Sequence, residues 1–459
     1  MPNDIRGLNE ACGVFGVWGH KDSAEMTYYG LHALQHRGQD GAGMVVKNEK
    51  RLLRHRGPGL ASEAFSKETL EALAGMAAIG HVRYKMNGVH SEDGYQPRLL
   101  HFEKSSMAVC HNGSIVNSQE LRHELESEGS IFQTSSDSET LAHLIRKSRH
   151  SFLLDKLQAS LRKINGSFAF LLLTQKKMIA ARDRWGIRPL AIGKLGDAYM
   201  VASETCAFDA LGATYIRDVA PGEIIVIDDE GLKSDSYHRD TSLAVCSMEY
   251  IYFARPDSDI DGVNVHTSRK NAGRILAAES PSPQADVVVP SPDSGISAAI
   301  GYAEASGIPY EIGLIKNRYA MRTFIAPSQE LREQGVKMKL SAVRAIVEGK
   351  SVVLVEDSIV RGTTSKRTVT LLKEAGAKEV HMKVASPLLT HTCCYGVDLH
   401  TTTELIAHGN TAEEICKIIG ADSLSYISEA GLEKAVGIPV KGGKLCMACF
   451  NGKYPAGSN

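Results

Sequence analysis

The sequence predicts an α/β protein in two parts, an N-terminal αββα sandwich followed by a domain built on a central parallel sheet. Three observations carry this. At 459 residues the chain is longer than one hydrophobic core usually supports. Between Leu154 and about Asp240 a helical pattern, LDKLQASLRKI, is followed by the β-rich segments SFAFLLLT, KMIAARD, LAIGKLG, AYMVAS and GEIIVID, separated by turns such as DRWGIRP. Further on, Val352 to Val355 form a continuous apolar run, the mark of a parallel strand covered on both faces, and lead over a polar loop into a helix.

Composition excludes several classes. Hydrophobic residues at 43% and charged residues at 23% are globular proportions. A net charge of −1 and a pI near 7.0 give no general electrostatic reason to bind nucleic acid or an anionic membrane. The opening MPNDIRGLNEA is polar, and apolar runs such as FAFLLL fall far short of a bilayer span, so the expected compartment is the cytosol. Nine cysteines, an odd number spread along the chain, argue for thiols or metal ligation rather than a disulfide framework.

Taken in order, the first informative residue is Cys12, in EACGVFGVWG, which alone reads as a small buried residue at the start of a strand. HALQHRGQDGAGM (His32 to Met44), GHVRY (Gly80 to Tyr84), HNGSIVN (His111 to Asn117) and SSDSE (Ser135 to Glu139) follow it. In that order these motifs resemble the glutaminase domain of the N-terminal nucleophile amidotransferases. The resemblance implies that Cys12 is the nucleophile and that its own α-amine is the base. An α-amine titrates at about 7.7 to 8.0 and a thiol near about 8.5, so proton transfer between them is nearly free. This requires removal of residues 1–11 as a propeptide. It further implies an oxyanion hole from Asn112 and the N–H of Gly113, with Arg83 on the glutamine carboxylate and Asp137 on its ammonium. The segment Lys85 to Gly88, KMNG, departs from the small residues usual after this arginine. The expected glutaminase domain spans 12–240.

A change of character near Thr241, at AVCSMEYIYFARPDSDIDGVNVH, opens the second domain, expected over 241–459. Helix NAGRILAAES, strand ADVVVP, loop SPDSG and helix ISAAIGYAEASG form a βα unit whose loop carries Asp293, Ser294 and Gly295. Lys316 to Leu340 is more basic than acidic and reads as a solvated loop. The VVLV strand then ends at Glu356 and Asp357, followed by Ser358, Ile359, Val360, Arg361, Gly362, Thr363, Thr364 and Ser365. A helix follows, with Thr364 or Ser365 as expected N-cap and Gly376 as its end. Acids and hydroxyls at a helix N-terminus suit phosphate, sugar hydroxyls or a cation.

VVLVEDSIVRGTTS resembles the phosphoribosyl diphosphate (PRPP) loop of type I phosphoribosyltransferases. That resemblance puts the 5-phosphate on the loop, the ribose hydroxyls and magnesium near Glu356 and Asp357, and pyrophosphate with its magnesium near Asp293, Ser294 and Gly295. Lys316 and Arg322 would touch pyrophosphate as the basic loop closes. Glu356 stands where aspartate is common in this branch. The extra methylene moves the carboxylate by roughly 1 Å, a displacement that can cost on the order of a hundredfold in rate.

Near the end, Cys446 and Cys449 form a CxxC, which alone fits zinc or redox chemistry. Over nearly its whole length the chain resembles the amidophosphoribosyltransferases, in particular a branch with a propeptide and an iron–sulfur cluster. Cys246, Cys393, Cys446 and Cys449 match that branch's [4Fe-4S] positions, with zinc as the runner-up. Cys393 is preferred to the adjacent Cys394, and Cys110, Cys206 and Cys416 receive no role. The resemblance implies conversion of PRPP, glutamine and water to 5-phosphoribosylamine, glutamate and pyrophosphate. It also implies homotetramers inhibited by purine nucleotides. The rivals are a sugar-phosphate glutamine amidotransferase, which lacks a PRPP loop, and a non-catalytic PRPP-sensing regulator, which has no use for Cys12, Asn112 and Asp137.

Overall fold

The computed structural model describes residues 12–84, 94–102, 105–134, 136–317, 340–399, 401–440 and 442–457. The expected propeptide, the Lys85 to Gly88 departure, Arg322 and most of the basic loop lie outside the described residues.

Two antiparallel sheets form the first part. One has seven strands in the order Thr214–Asp218, Ala191–Leu195, Ala198–Ala202, Gly13–Trp18, Ala77–Arg83, Gly41–Lys47, Leu52–Pro58. The other has six, in the order Gly231–Ser236, Glu223–Asp228, Met178–Arg182, Gly166–Leu173, Ser106–Ile115, Arg98–His101. Side chains alternate between the faces of each strand, so both faces of both sheets can be apolar. Val14, Val45, Ile79, Ala169, Leu171 and Val201 meet in the core between the sheets. Phe15, Val17, Met44 and Val46 point outward to the helix Ser23–Ala33. That helix lies so close that a Cβ on Gly30 would come within 2.5 Å of the Phe15 ring. On the other side, Val109, Phe170, Leu172 and Ile179 pack against the helices Asp137–Lys147 and Leu153–Leu161. The layers are therefore helix, sheet, sheet, helix, as the β-rich segments suggested.

The second part is organised by four parallel strands in the order Val287–Pro290, Ser351–Glu356, Glu379–Val384, Ser423–Tyr426. Val353 and Val355 face one core, while Val352 and Leu354 face another. Every residue of Ser351–Glu356 is buried, which is why the run carries no polar alternation. The following helix is Thr363–Glu374, and it starts earlier than expected. Neither Thr364 nor Ser365 caps it. The N-cap is Gly362, in the left-handed region at φ 75° with no side-chain cap bond. A Cβ there would lie 2.5 Å from Ile406 Cδ1, so close packing and a left-handed turn both call for glycine.

A short parallel ribbon, Ala244–Cys246 with Lys444–Cys446, joins the start of the second part to its C-terminal tail. Among the described residues no helix is long and apolar enough to cross a membrane.

Lys383, on the third parallel strand, is 3% exposed and among the described residues donates only to Ser280 Oγ at 2.7 Å and Ser425 Oγ at 3.3 Å. Burial lowers its pKa to about 8. An unfolded lysine titrates at about 10.4, so between these values the unfolded chain binds the extra proton and stability rises with pH; below 8 the full cost of burying the charge applies. Lys383→Met will therefore raise the melting temperature at pH 7, and the gain will shrink as the pH approaches 10. A gain constant across that range would assign the effect to packing instead.

Candidate functional site

Cys12 lies just before the first strand, which begins at Gly13, and is one of two non-glycine residues with positive φ among those described, at 87°. Its backbone is held at both ends by Arg37: Cys12 N–H donates to Arg37 O at 3.2 Å, and Arg37 Nε donates to Cys12 O at 3.4 Å. Burial, and then the nearby Cys12, push the Cys110 thiol well up, which places Cys12 beside the strand Ser106–Ile115.

Two residues beyond Cys110 on that strand is Asn112. Its side chain is fully buried, and neither its nitrogen nor its oxygen finds a hydrogen-bond partner among the described residues. Orphaned amides of this kind are uncommon and call for a functional or structural reason. Gly113 follows at φ 128°, where a Cβ would come 2.2 Å from Ser167 O. Arg83 ends the Ala77–Arg83 strand, with its guanidinium 5.8 Å from the centre of the Tyr95 ring. Asp137 opens its helix and accepts from Ile115 N–H at 2.8 Å and Ser118 Oγ at 2.7 Å, one bond on each carboxylate oxygen. A carboxylate oxygen has two acceptor positions, so Asp137 can still take an ammonium. Burial lowers the pKa of His111, against the charge of Asp137, which places Asp137 by the same strand. The structure thus gathers Cys12 and Asp137 beside the strand that carries Asn112 and Gly113, with Arg83 at the end of the strand paired to the one Cys12 precedes.

The second cluster forms at the end of the central parallel strand. Ser294 Oγ donates to Asp357 Oδ1 at 2.5 Å, and Ser358 Oγ donates to Asp357 Oδ2 at 2.6 Å. Glu356 is buried, and its Oε2 has no hydrogen-bond partner among the described residues. Burial, and then the charge of Asp357, raise its pKa well above the usual carboxylate range. Gly295 is buried at the start of the helix Ile296–Ser306, and the loop ahead of it contains a cis peptide between Pro292 and Asp293. Asp293 is exposed and pairs with Lys316 at 3.0 Å. In the loop, Ile359 is buried in the core, so only its backbone can face a ligand, and Val360 packs on the opposite core. Arg361 pairs with Glu404 at 2.6 Å, Thr363 and Thr364 are exposed, and Ser365 is buried.

The third cluster is sulfur. Cys246 and Cys446 stand opposite each other in the parallel ribbon. Burial pushes the Cys246, Cys446 and Cys449 thiols up, Cys446 to about 12, and each also feels its neighbours. Cys393 acts on all three, and Cys394 also acts on Cys446. The geometry brings together the four expected cysteines. Among the described residues, however, no three His, Cys, Asp or Glu side chains are set to hold a metal ion.

Sequence reasoning passed over the residues that join these clusters. Arg37 pairs with Glu204 and Glu249, the latter at 2.8 Å, and Arg188 reaches Glu249 at 3.4 Å and Tyr395 O at 2.6 Å. All four charged side chains are fully buried. Burial alone would raise the Glu204 carboxyl, but the charges of His36 and Arg37 hold it far below its usual range. Glu249 opens the π-helix Glu249–Phe253, which also carries Tyr252. Burial, and then the charges of Asp357, Glu356 and Tyr84, raise the Tyr252 pKa, so this phenol stands between the carboxylate pair and the residue after Arg83. The one available signal was charge within otherwise uncharged, mostly apolar text, at Glu249 in MEYIYF.

A family model for a glutamine amidotransferase domain matches residues 81–210, and one for a phosphoribosyl transferase domain matches residues 266–411. The amidophosphoribosyltransferase of Bacillus subtilis (strain 168) is 57% identical over 458 residues, covering 99% of this chain and 96% of that protein. The enzyme of the same name from Staphylococcus aureus (strain MRSA252) is 51% identical over 457 residues, covering 98% and 92%. The structure of glutamine PRPP amidotransferase from B. subtilis, complexed with ADP and GMP, superposes with a TM-score of 0.92 at 57% identity, covering 97% of each chain.

Proposed function

The chain belongs to the amidophosphoribosyltransferases, the enzymes of the first committed step of purine biosynthesis, and from that premise we propose how its residues divide the work. Residues 1–11 are a propeptide, 12–240 the glutaminase and 241–459 the phosphoribosyltransferase with its cluster-binding tail. Once the propeptide is removed, the Cys12 nitrogen becomes a free amine next to Arg37 O and takes the proton of its own thiol. The thiolate attacks the glutamine carboxamide. Arg83 and Asp137 hold the amino acid by its two charges, and Asn112 Nδ2 with Gly113 N–H receives the oxyanion. Collapse releases ammonia, and water hydrolyses the thioester to glutamate, freeing Cys12. Ammonia crosses internally to C1 of PRPP and displaces pyrophosphate, giving 5-phosphoribosylamine.

The observation that carries the glutaminase reading is the buried, unpartnered amide of Asn112. A side chain kept dry and unbonded is set for charge that develops only during reaction. Asn112→Ala will lower glutamine-dependent kcat by about 10²- to 10³-fold. Pyrophosphate release driven by ammonia will stay unchanged. An equal fall in both would overturn the assignment.

At the acceptor site the loop from Ser358 to Ser365 holds the 5-phosphate, and Lys316 and Arg322 meet pyrophosphate. Glu356, Asp357 and Ser294 would hold magnesium, and the orphaned buried Oε2 of Glu356 fits a cation, whose positive charge would oppose the rise in its pKa. When bound, magnesium supplies charge neutralisation to the leaving pyrophosphate. Cys246, Cys393, Cys446 and Cys449 would hold the [4Fe-4S] cluster as a staple for the tail. Four thiols within electrostatic reach of one another are the donor set such a cluster takes, with zinc as the runner-up. Purine nucleotides inhibit, a reading supported by ADP and GMP in the B. subtilis structure. We also place the enzyme in the cytosol, as a homotetramer.

A further inference from the structure

Behind the sandwich, on the face that meets the C-terminal tail, lies a cavity of about 310 Å3 unconnected to any role assigned above. Arg162, Lys163, Arg184 and His238 line it together with Ala456 of the tail, and among the described residues no carboxylate contributes to its wall. The tail is fastened there by Asn165 Nδ2, which donates to Ala456 O at 2.8 Å.

The hydrogen bonds at this wall leave donors without acceptors. Arg184 Nη1 lies 3.3 Å from His238 Nε2. A guanidinium has no acceptor, so Nε2 must accept, and in the neutral ring the proton sits on Nδ1. His238 Nδ1 is buried and has no partner among the described residues, and the same is true of Arg184 Nε. Two orphaned N–H groups therefore share a cavity with two further cationic side chains. Arg162 is anchored through Nε to Tyr237 O at 2.8 Å, and Lys163 is shared with Glu124 at 3.4 Å in an exposed pair. Water can fill one such position, but among the described residues of the wall only Lys163 has a carboxylate partner.

The geometry points to a binding site for a small phosphate dianion, free or as a monoester, held by Arg184, His238, Arg162 and Lys163. The cavity is at the small end for metabolite sites, which limits the ligand to a compact body. Such a ligand accepts several hydrogen bonds at once and supplies the missing charge. Because Ala456 forms part of the wall, occupancy fastens the tail to the glutaminase half.

The reporter is already in place. The Arg184 guanidinium lies 4.5 Å from the centre of the Trp185 ring, and the chain has only two tryptophans. The full-length enzyme is titrated in phosphate-free buffer with inorganic phosphate and, separately, with ribose 5-phosphate, following tryptophan fluorescence. A saturable change is expected that vanishes in Trp185→Phe and is weakened at least tenfold by Arg162→Gln and by His238→Ala. Both variants keep ammonia-dependent activity, since neither belongs to the catalytic machinery. Tighter binding of ribose 5-phosphate identifies a monoester site, and the reverse order a free-phosphate site; either supports the dianion assignment. A non-saturating change, an equal response to chloride, or unaltered affinity in both variants overturns it.

Discussion

Cys12→Ala will abolish glutamine-dependent pyrophosphate release while leaving the ammonia-dependent reaction intact. The reason is separation of labour: Cys12 is fixed by Arg37 beside the Asn112 strand, whereas Glu356, Asp357 and Ser294 converge at the end of a different sheet. Removing the thiol deletes the nucleophile and touches no residue of the acceptor cluster. Residual activity without the nucleophile in enzymes of this kind is small, and a loss of about 10³-fold or more is expected. The companion measurement is the intact mass of active enzyme, which should begin at Cys12. Glutamine turnover by protein that still carries Met1 would sink the mechanism, as would a loss in Cys12→Ala well short of about 10³-fold.

The second large effect concerns Glu249. Its carboxylate receives Arg37 Nη2 at 2.8 Å and Nη1 at 3.1 Å, and Arg188 Nη1 at 3.4 Å, with no solvent contact on any partner. Glu249→Ala removes the carboxylate shared by two buried guanidinium groups and leaves Arg37 with Glu204 and Arg188 with the Tyr395 carbonyl; taking away one partner of a buried pair costs about 3–5 kcal/mol. Chemical denaturation will show this as a lower midpoint. A second effect follows from connectivity, because Arg37 also holds the Cys12 backbone. Glutamine-dependent turnover should fall further than ammonia-dependent turnover when both are measured below the unfolding transition. Equal losses would restrict Glu249 to holding the fold.

What could be read from the sequence divides along physical lines. The strand Val352 to Val355 was legible because burial on both faces leaves an uninterrupted apolar run, and the structure buries all of Ser351–Glu356. The sandwich was legible from its β-rich segments, each of which is a strand. The helix after the PRPP loop was placed correctly at its end but not at its start. A rule that favours hydroxyls at the N-cap misses a turn governed by the left-handed Gly362 and its packing on Ile406. The lattice of Arg37, Glu204, Glu249 and Arg188 was not legible, since these residues are remote in sequence and their pairing exists only once two sheets and a π-helix are in place. The same holds for the cavity at Arg184 and His238, where the informative fact is a missing acceptor.

The ribbon of Ala244–Cys246 with Lys444–Cys446 has a consequence for the order in which the molecule is made. Its first strand leaves the ribosome about 200 residues ahead of its partner. The sandwich can condense while translation continues, but this pairing must wait until Lys444–Cys446 has emerged. Non-local contacts of such separation form slowly, and an unpaired edge is exposed in the interval. The nascent chain therefore passes through a stage in which Cys246 is present without Cys446 or Cys449, and the sulfur cluster of side chains can assemble only after that stage.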